Sequence, residues 1–230
     1  MVNPVAVLGG TGRTGRIIVQ RLLERGESVR ALGRREQYAL RHLPPGTSFH
    51  QADVRSPRSL REPLAGCSAL VYCVEPGTDD SGPDRPETTM HDGVVNALAA
   101  ATADGSRPRV VLVSQIHTTH HSHPLNAYGR LLDWRRAGEE QVRDSGLPYT
   151  VVRPGWLTDD RTPGQGVRLG QGDRGTGTVA RPDLAEACVQ ALYAPSAAGL
   201  TFEIFNGPHA VPDTWEQAFA VLNSDLVPVS

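Results

Sequence analysis

Seven residues near the N-terminus, Gly9-Gly10-Thr11-Gly12-Arg13-Thr14-Gly15, have the makings of a phosphate cradle. They fit G-x-G-x-x-G from Gly10 and G-x-x-G-x-x-G from Gly9, and either frame serves the same physics. The first glycines permit a tight turn, Gly12 lets the backbone approach a pyrophosphate, and Gly15 lets the next helix pack on the preceding strand. A helix opening there offers unpaired N–H groups to the anion. A second cluster lies at 117–123, where His117, His120, His121 and His123 are half of the chain's eight histidines. Imidazole titrates near neutrality, so one of them could serve as a general acid.

What is missing constrains the chemistry as much. All 23 basic residues are Arg, and the chain contains no Lys. That excludes Schiff-base catalysis, the phosphate-gripping Lys of a Walker P-loop and the Lys of a Tyr-x-x-x-Lys reductase site. The charge sum, 23 − 25 = −2, comes without a basic block, which argues against nucleic acid or an anionic membrane as partner. Cys67, Cys73 and Cys188 are odd in number, widely spaced and without a C-x-x-C pair, so they read as small buried hydrophobes. No metal site is expected, because the histidine cluster holds no Asp, Glu or Cys ligand.

The elements that must position these residues alternate along the chain. Val5–Leu8 reads as a strand, followed after the glycines by Ile17, Ile18, Leu22 and Leu23 at helical spacing. Further strands are expected at 28–32, 47–51, 69–74, 109–113, 149–153 and 201–205, and helices at 90–103, 128–144 and 183–193. Strand–helix alternation over 230 residues predicts a single domain spanning 1–230, an α/β Rossmann-type doubly wound parallel sheet. Residues 158–178 hold six glycines and little apolar periodicity, a long loop or small lid in the C-terminal third. Substrate-side loops are expected at about 115–127 and 155–178. No apolar run approaches the ~18 residues of a membrane span, and Met1-Val2-Asn3-Pro4 lacks the features of a signal peptide, so a cytoplasmic protein is expected.

The second strand ends Leu32-Gly33-Arg34-Arg35, with no acid to hold a ribose 2′-hydroxyl. Arg34 and Arg35 instead offer guanidinium groups to a 2′-phosphate, favouring NADP(H) over NAD(H).

With Ala52-Asp53-Val54, Val111-Leu112-Val113-Ser114, the run from Ser145 to Gly155 and Val179 to Ala185, the chain resembles the atypical short-chain dehydrogenase/reductases. Within them it is similar to the group that includes biliverdin-IXβ/flavin reductase and nitrogen-metabolite-repressor-like sensors. The resemblance implies that Asp53 and Val54 border the adenine, and that Cys73 and Val74 lie along the ribose and pyrophosphate. It also places Pro154, Gly155 and Trp156 near the nicotinamide. In the typical reductases of this superfamily a Tyr protonates the carbonyl, a Lys lowers its pKa and a Ser orients the substrate. Ser114 stands at or near the Ser position, but Tyr128 is followed four residues later by Leu132, and the ribose-binding Lys or His position falls on Arg135. An Arg can hold ribose hydroxyls but relays protons poorly, because it stays charged.

Three sources of the proton stay open: His117, next to Ser114; Tyr128; or a quinone-like substrate whose reduced form is a stabilised phenolate. Trp134 and Trp156 suit a flat aromatic or polycyclic substrate or simple packing, and Glu75 reads equally as pocket wall or turn. The leading expectation is an NADPH-dependent reductase of a small organic carbonyl or quinone. The alternatives are a non-catalytic NADP(H) sensor, and an isomerase, dehydratase or cyclase on the same scaffold.

Overall fold

Four consecutive apolar residues, Val5–Leu8, form strand β1 and are buried on both faces, the signature of a strand inside a parallel sheet. The computed structural model describes residues 3–77, 81–162, 164–208 and 214–225. Met1, Val2 and Pro163, which entered the readings of the N-terminus and of the 158–178 loop, lie outside them.

After β1 the chain runs through α1 (Gly15–Glu24), β2 (Val29–Gly33), α2 (Glu36–His42), β3 (Ser48–Gln51), α3 (Pro57–Leu64) and β4 (Ala69–Tyr72). The second half holds α4 (Asp92–Thr102), β5 (Arg109–Val113), α5 (Leu131–Asp144), β6 (Tyr149–Pro154), β7 (Trp156–Thr158) and β8 (Gly166–Gly170). It closes with β9 (Thr178–Ala180), α6 (Arg181–Tyr193), β10 (Leu200–Gly207) and α7 (Trp215–Ala220). The main sheet has the order β3-β2-β1-β4-β5-β6-β10-β8, with β7 and β9 forming a separate pair. Its neighbours run parallel except β8, which is antiparallel to β10.

Apolar side chains cover both faces of this doubly wound sheet. Ile18, Leu22, Leu184 and Cys188 pack on one face, and Leu60, Leu64, Val94, Leu98 and Val142 on the other. Successive strands step outward from β1 to β3 and then return to β4 on the opposite side of β1. The switch point therefore lies between β1 and β4, where Leu8 pairs in register with Tyr72. Ligands of open α/β sheets bind beyond the carboxyl ends of strands at such a point.

Three sequence expectations are modified. The 158–178 segment is not one continuous loop: its ends belong to β7 and β9 and it contains the 5 residues of β8, whose alternation is brief and glycine-flanked and which only pairing with β10 makes a strand. Helix α5 begins at Leu131 instead of Tyr128, because Gly129 and Arg130 take left-handed φ values of 53° and 58°. The expected 90–103 helix is preceded by a wide π-type turn, Glu87–His91, which carries Met90 to the site. Such turns occur often at functional sites.

Candidate functional site

The glycine turn follows β1 directly and leads into α1. Gly9 has φ +75°, and a Cβ there would strike the Cys73 carbonyl; a Cβ on Gly15 would strike the Gly9 carbonyl. Both positions therefore require glycine for close approach of backbone to backbone. Gly12 differs: a Cβ there would meet only the Gly9 oxygen, at 3.1 Å. The Gly12 amide donates to Gly9 at 2.8 Å, whereas the amides of Arg13, Thr14 and Gly15 have no partner among the described residues. These free donors at the start of α1 are the groups a pyrophosphate requires.

A cavity of about 310 Å³ opens over this turn, lined by Gly9, Thr11, Gly12, Arg13, Arg34, Arg35, Asp53, Val54 and Val74 among others. Thus it collects most of the residues expected on the nucleotide side. Arg34 pairs with Asp84 at 2.8 Å, and the Arg35 guanidinium lies 5.6 Å from the Tyr38 ring centre. Asp53 receives the Arg55 side chain through Nε at 2.9 Å and Nη2 at 2.5 Å. That hydrogen-bonded Arg55 holds the Asp53 carboxyl below its usual range, so Asp53 is an anion across the working pH range. Gly10 and Thr14 shape the turn, and Cys73 contributes its carbonyl while burial pushes its thiol up to about 12.

Beside the cavity a narrow cleft brings Ser114 and Arg135 together with Tyr72 and Met90. Gly138 makes this possible, since a Cβ there would strike the Met90 carbonyl and push α5 off the π turn. Arg135 is 4% exposed and donates to Glu75 at 2.5 Å, yet its Nε and Nη1 are buried without partners. Glu75 is therefore a cavity-wall residue, and the chain forms no turn at 73–77. A buried guanidinium with two idle donors is costly unless a water or a ligand oxygen supplies the acceptor, and the cleft, of about 10 Å³, fits one such atom, as a hydroxyl of a dinucleotide in the neighbouring cavity would provide.

Ser114 donates its hydroxyl to Glu139 at 2.6 Å. An ionised carboxylate only accepts, so the Ser114 proton is tied to Glu139 and its oxygen is left to act as an acceptor. Glu139 is fully buried and held by Arg153 at 2.9 and 2.6 Å and by Arg143 at 3.0 Å. Glu203 lies 3.7 Å from Arg153, and burial pushes its carboxyl up.

Asp173 clamps the 155–178 segment to the 115–127 segment. Its carboxylate accepts from the amides of His117 at 2.6 Å and Thr119 at 2.8 Å, and from the Thr119 hydroxyl at 2.9 Å. Burial opposes the Asp173 charge, but the Thr119 and His117 amides outweigh it and keep its pKa low. His117, at φ +72°, stacks on His123 with ring centres 4.7 Å apart, and its Nδ1 is buried without a partner. Burial first, and then His123, lower the His117 pKa, so the ring is neutral at neutral pH. It can accept or pass a proton but does not carry a standing charge.

Tyr128 is 61% exposed and Trp156 50% exposed, and neither lines the cavity. Pro154 ends β6, Gly155 leaves room for Gly177 and Phe205, and Trp156 donates its amide to Gly177 at 2.9 Å. Trp134 sits 5.8 Å from the His91 ring on the outer part of the π turn. Three residues that shape the site escaped the sequence reading: Asp84, Glu139 and Asp173. Glu139 stands in a charged Gly-Glu-Glu stretch that reads as helix surface, and Asp173 in a Gly-Asp-Arg turn; neither has a local signal of burial.

A glycine turn at the switch point of a doubly wound parallel sheet, with unpaired amides opening α1 and a cavity over it, defines a dinucleotide-binding protein of the Rossmann type. Residues 9–195 match the NAD(P)H-binding family, and the chain belongs to that family. It is 33% identical over 227 residues to an uncharacterized chloroplast protein of Arabidopsis thaliana, covering 89% of this chain and 70% of that one. It is 25% identical over 264 residues to sanguinarine reductase of Eschscholzia californica, covering 97% and 96%. Among solved structures it is similar to a putative NAD-dependent epimerase/dehydratase from Bacillus halodurans, with TM-score 0.77, 23% identity and coverage of 90% and 96%.

Proposed function

We propose that the protein is a cytoplasmic NADPH-dependent reductase of a small organic carbonyl or quinone, with a flat polycyclic molecule as the favoured substrate. The observation that carries this is Arg135, a buried guanidinium with two unpaired donors beside Ser114 and next to the nucleotide cavity. The likeness to sanguinarine reductase over nearly both full lengths supports a reductase. Arg34 and Arg35 on the cavity rim support the phosphorylated cofactor.

The nicotinamide, when bound, supplies a hydride. The glycine turn and the amides opening α1 hold the pyrophosphate, Arg34 and Arg35 take the 2′-phosphate, and Asp53 and Val54 border the adenine. Arg135 offers a permanent charge to a ribose hydroxyl or to negative charge developing on substrate oxygen. Ser114, its proton tied to Glu139, accepts a hydrogen bond from cofactor or substrate. Neutral His117 and exposed Tyr128 are the side chains left to handle the product's proton, and a substrate giving a stabilised phenolate needs neither.

The test is a fluorescence titration with NADPH, NADP and NADH at one salt concentration, followed by NADPH oxidation with a panel of quinones and polycyclic ketones. Binding of NADPH tighter than that of NADH is expected, with turnover that is lost in Arg135→Gln. Absence of binding for all three would overturn the proposal. Binding without turnover of any panel member would favour an NADP(H) sensor, a reading helped by the missing Tyr-x-x-x-Lys pair.

A further inference from the structure

The rim of the nucleotide cavity carries an acid that does not come from β2 or from the turn after β3. Asp84, in the segment between β4 and the π turn, reaches back to Arg34 at 2.8 Å and lies 3.8 Å from Arg55. Arg55 in turn holds Asp53. The result is an alternating row, Arg34, Asp84, Arg55, Asp53, with no net charge, along the wall of the cavity that Arg34, Asp84 and Asp53 line. The position of Asp84 is built in: the Gly77 amide donates to its carbonyl at 2.8 Å, and a Cβ on Gly77 would press on its side chain at 3.2 Å.

We infer that Asp84 is a cofactor-specificity residue, a carboxylate that occupies Arg34 in place of a nucleotide 2′-phosphate and so holds down the preference for NADPH over NADH. The inference rests on the dinucleotide reading of this cavity. A 2′-phosphate brings close to two negative charges and three acceptor oxygens to the guanidinium it binds. To reach Arg34 it must displace Asp84 or sit beside it, and two anions sharing one cation repel each other. A 2′-hydroxyl meets no such cost, because it can donate to the same carboxylate. Asp84 thus works against NADPH twice, by competition and by repulsion, and favours NADH by accepting a hydrogen bond. Arg34 and Arg35 by themselves favour NADP(H) over NAD(H); the acid folded against Arg34 predicts use of both cofactors.

The experiment measures Kd for NADPH and NADH by fluorescence titration of the full chain, as wild type, Asp84→Asn, Asp84→Ala and Asp84→Glu, with circular dichroism as the folding check. Wild type is expected to bind both. Asn and Ala are expected to tighten NADPH by about tenfold and leave NADH unchanged or weaker, so that the ratio of the two constants shifts by about tenfold or more. Glu, which keeps the charge, is expected to hold the ratio near wild type. The shift should shrink at high salt, where exposed charges are screened. A ratio unchanged within about twofold in both Asn and Ala would overturn the inference while leaving the cofactor reading intact. Failure of the wild type to bind either nucleotide would overturn both.

Discussion

Replacing Glu139 by Gln tests whether the charged network behind Ser114 acts as a unit. The Glu139 carboxylate is fully buried and receives two bonds from Arg153, one from Arg143 and one from Ser114. Glutamine keeps the shape but removes the charge and turns an amide donor toward donors. Arg153, 6% exposed, is then left with Glu203 at 3.7 Å as its nearest anion. Breaking a buried pair by removing one partner typically costs about 3 to 5 kcal/mol. For a chain of this length each kcal/mol moves Tm by roughly 2 to 4 °C, so a fall of about 6 to 20 °C is expected. Thermal denaturation followed by circular dichroism, with urea unfolding as a second measure, reads it. The pair Glu139→Leu with Arg153→Met should recover part of that loss, since the buried Glu139–Arg153 pair is replaced as a whole and Glu203, whose carboxyl burial already pushes up, can take a proton once Arg153 is gone. A Tm within about 3 °C of wild type for Glu139→Gln would refute the reasoning, and so would a double variant less stable than the sum of its parts.

Arg34→Glu is expected to weaken NADPH by about 1 to 3 kcal/mol through loss of a charge-assisted phosphate contact, with NADH little changed; equal losses in a titration would remove Arg34 from the 2′-phosphate site. Gly12→Val should fold, because a Cβ there meets only the Gly9 oxygen at 3.1 Å, yet fill the cradle and abolish both cofactors; undiminished binding would sink the turn as a nucleotide site. The docking of the histidine loop should weaken in mild acid. His117 has a lowered pKa in the folded chain, so the undocked loop takes up its proton first; the stabilisation is complete above about 6.5 and is lost as pH falls through that value toward the folded pKa. Protection of the His117 and Thr119 amides, which Asp173 holds, should fall over that range once hydrogen-exchange rates are corrected for the slowing of intrinsic exchange with falling pH, and a flat protection profile would contradict the assignment.

The cofactor end was legible because its information is local. Gly9 to Gly15 between an apolar strand and an amphipathic helix needs only neighbours in sequence to declare a turn, and the strand starts at Val5, Ala69 and Arg109 follow from runs of apolar residues. The chemistry end was not. Arg135 could be named by its alignment with a family position, but its burial, its bond to Glu75 and its two idle donors come from β4, the π turn and α5 meeting in space. Strand β8 shows the same limit, since its pairing partner lies more than thirty residues away.

The residues alone determined that this chain forms a doubly wound sheet with a glycine turn after its first strand, and that no Lys takes part, because element type, turn chemistry and composition are properties of short stretches. Tertiary structure alone decided which charges are neutralised. Asp84 on Arg34, Glu139 beneath Ser114 and Asp173 under the His117 amide are each ordinary acids in sequence, separated from their partners by 50, 25 and 56 positions. Charge pairing and burial depend on distance through space, and only the folded chain sets that distance.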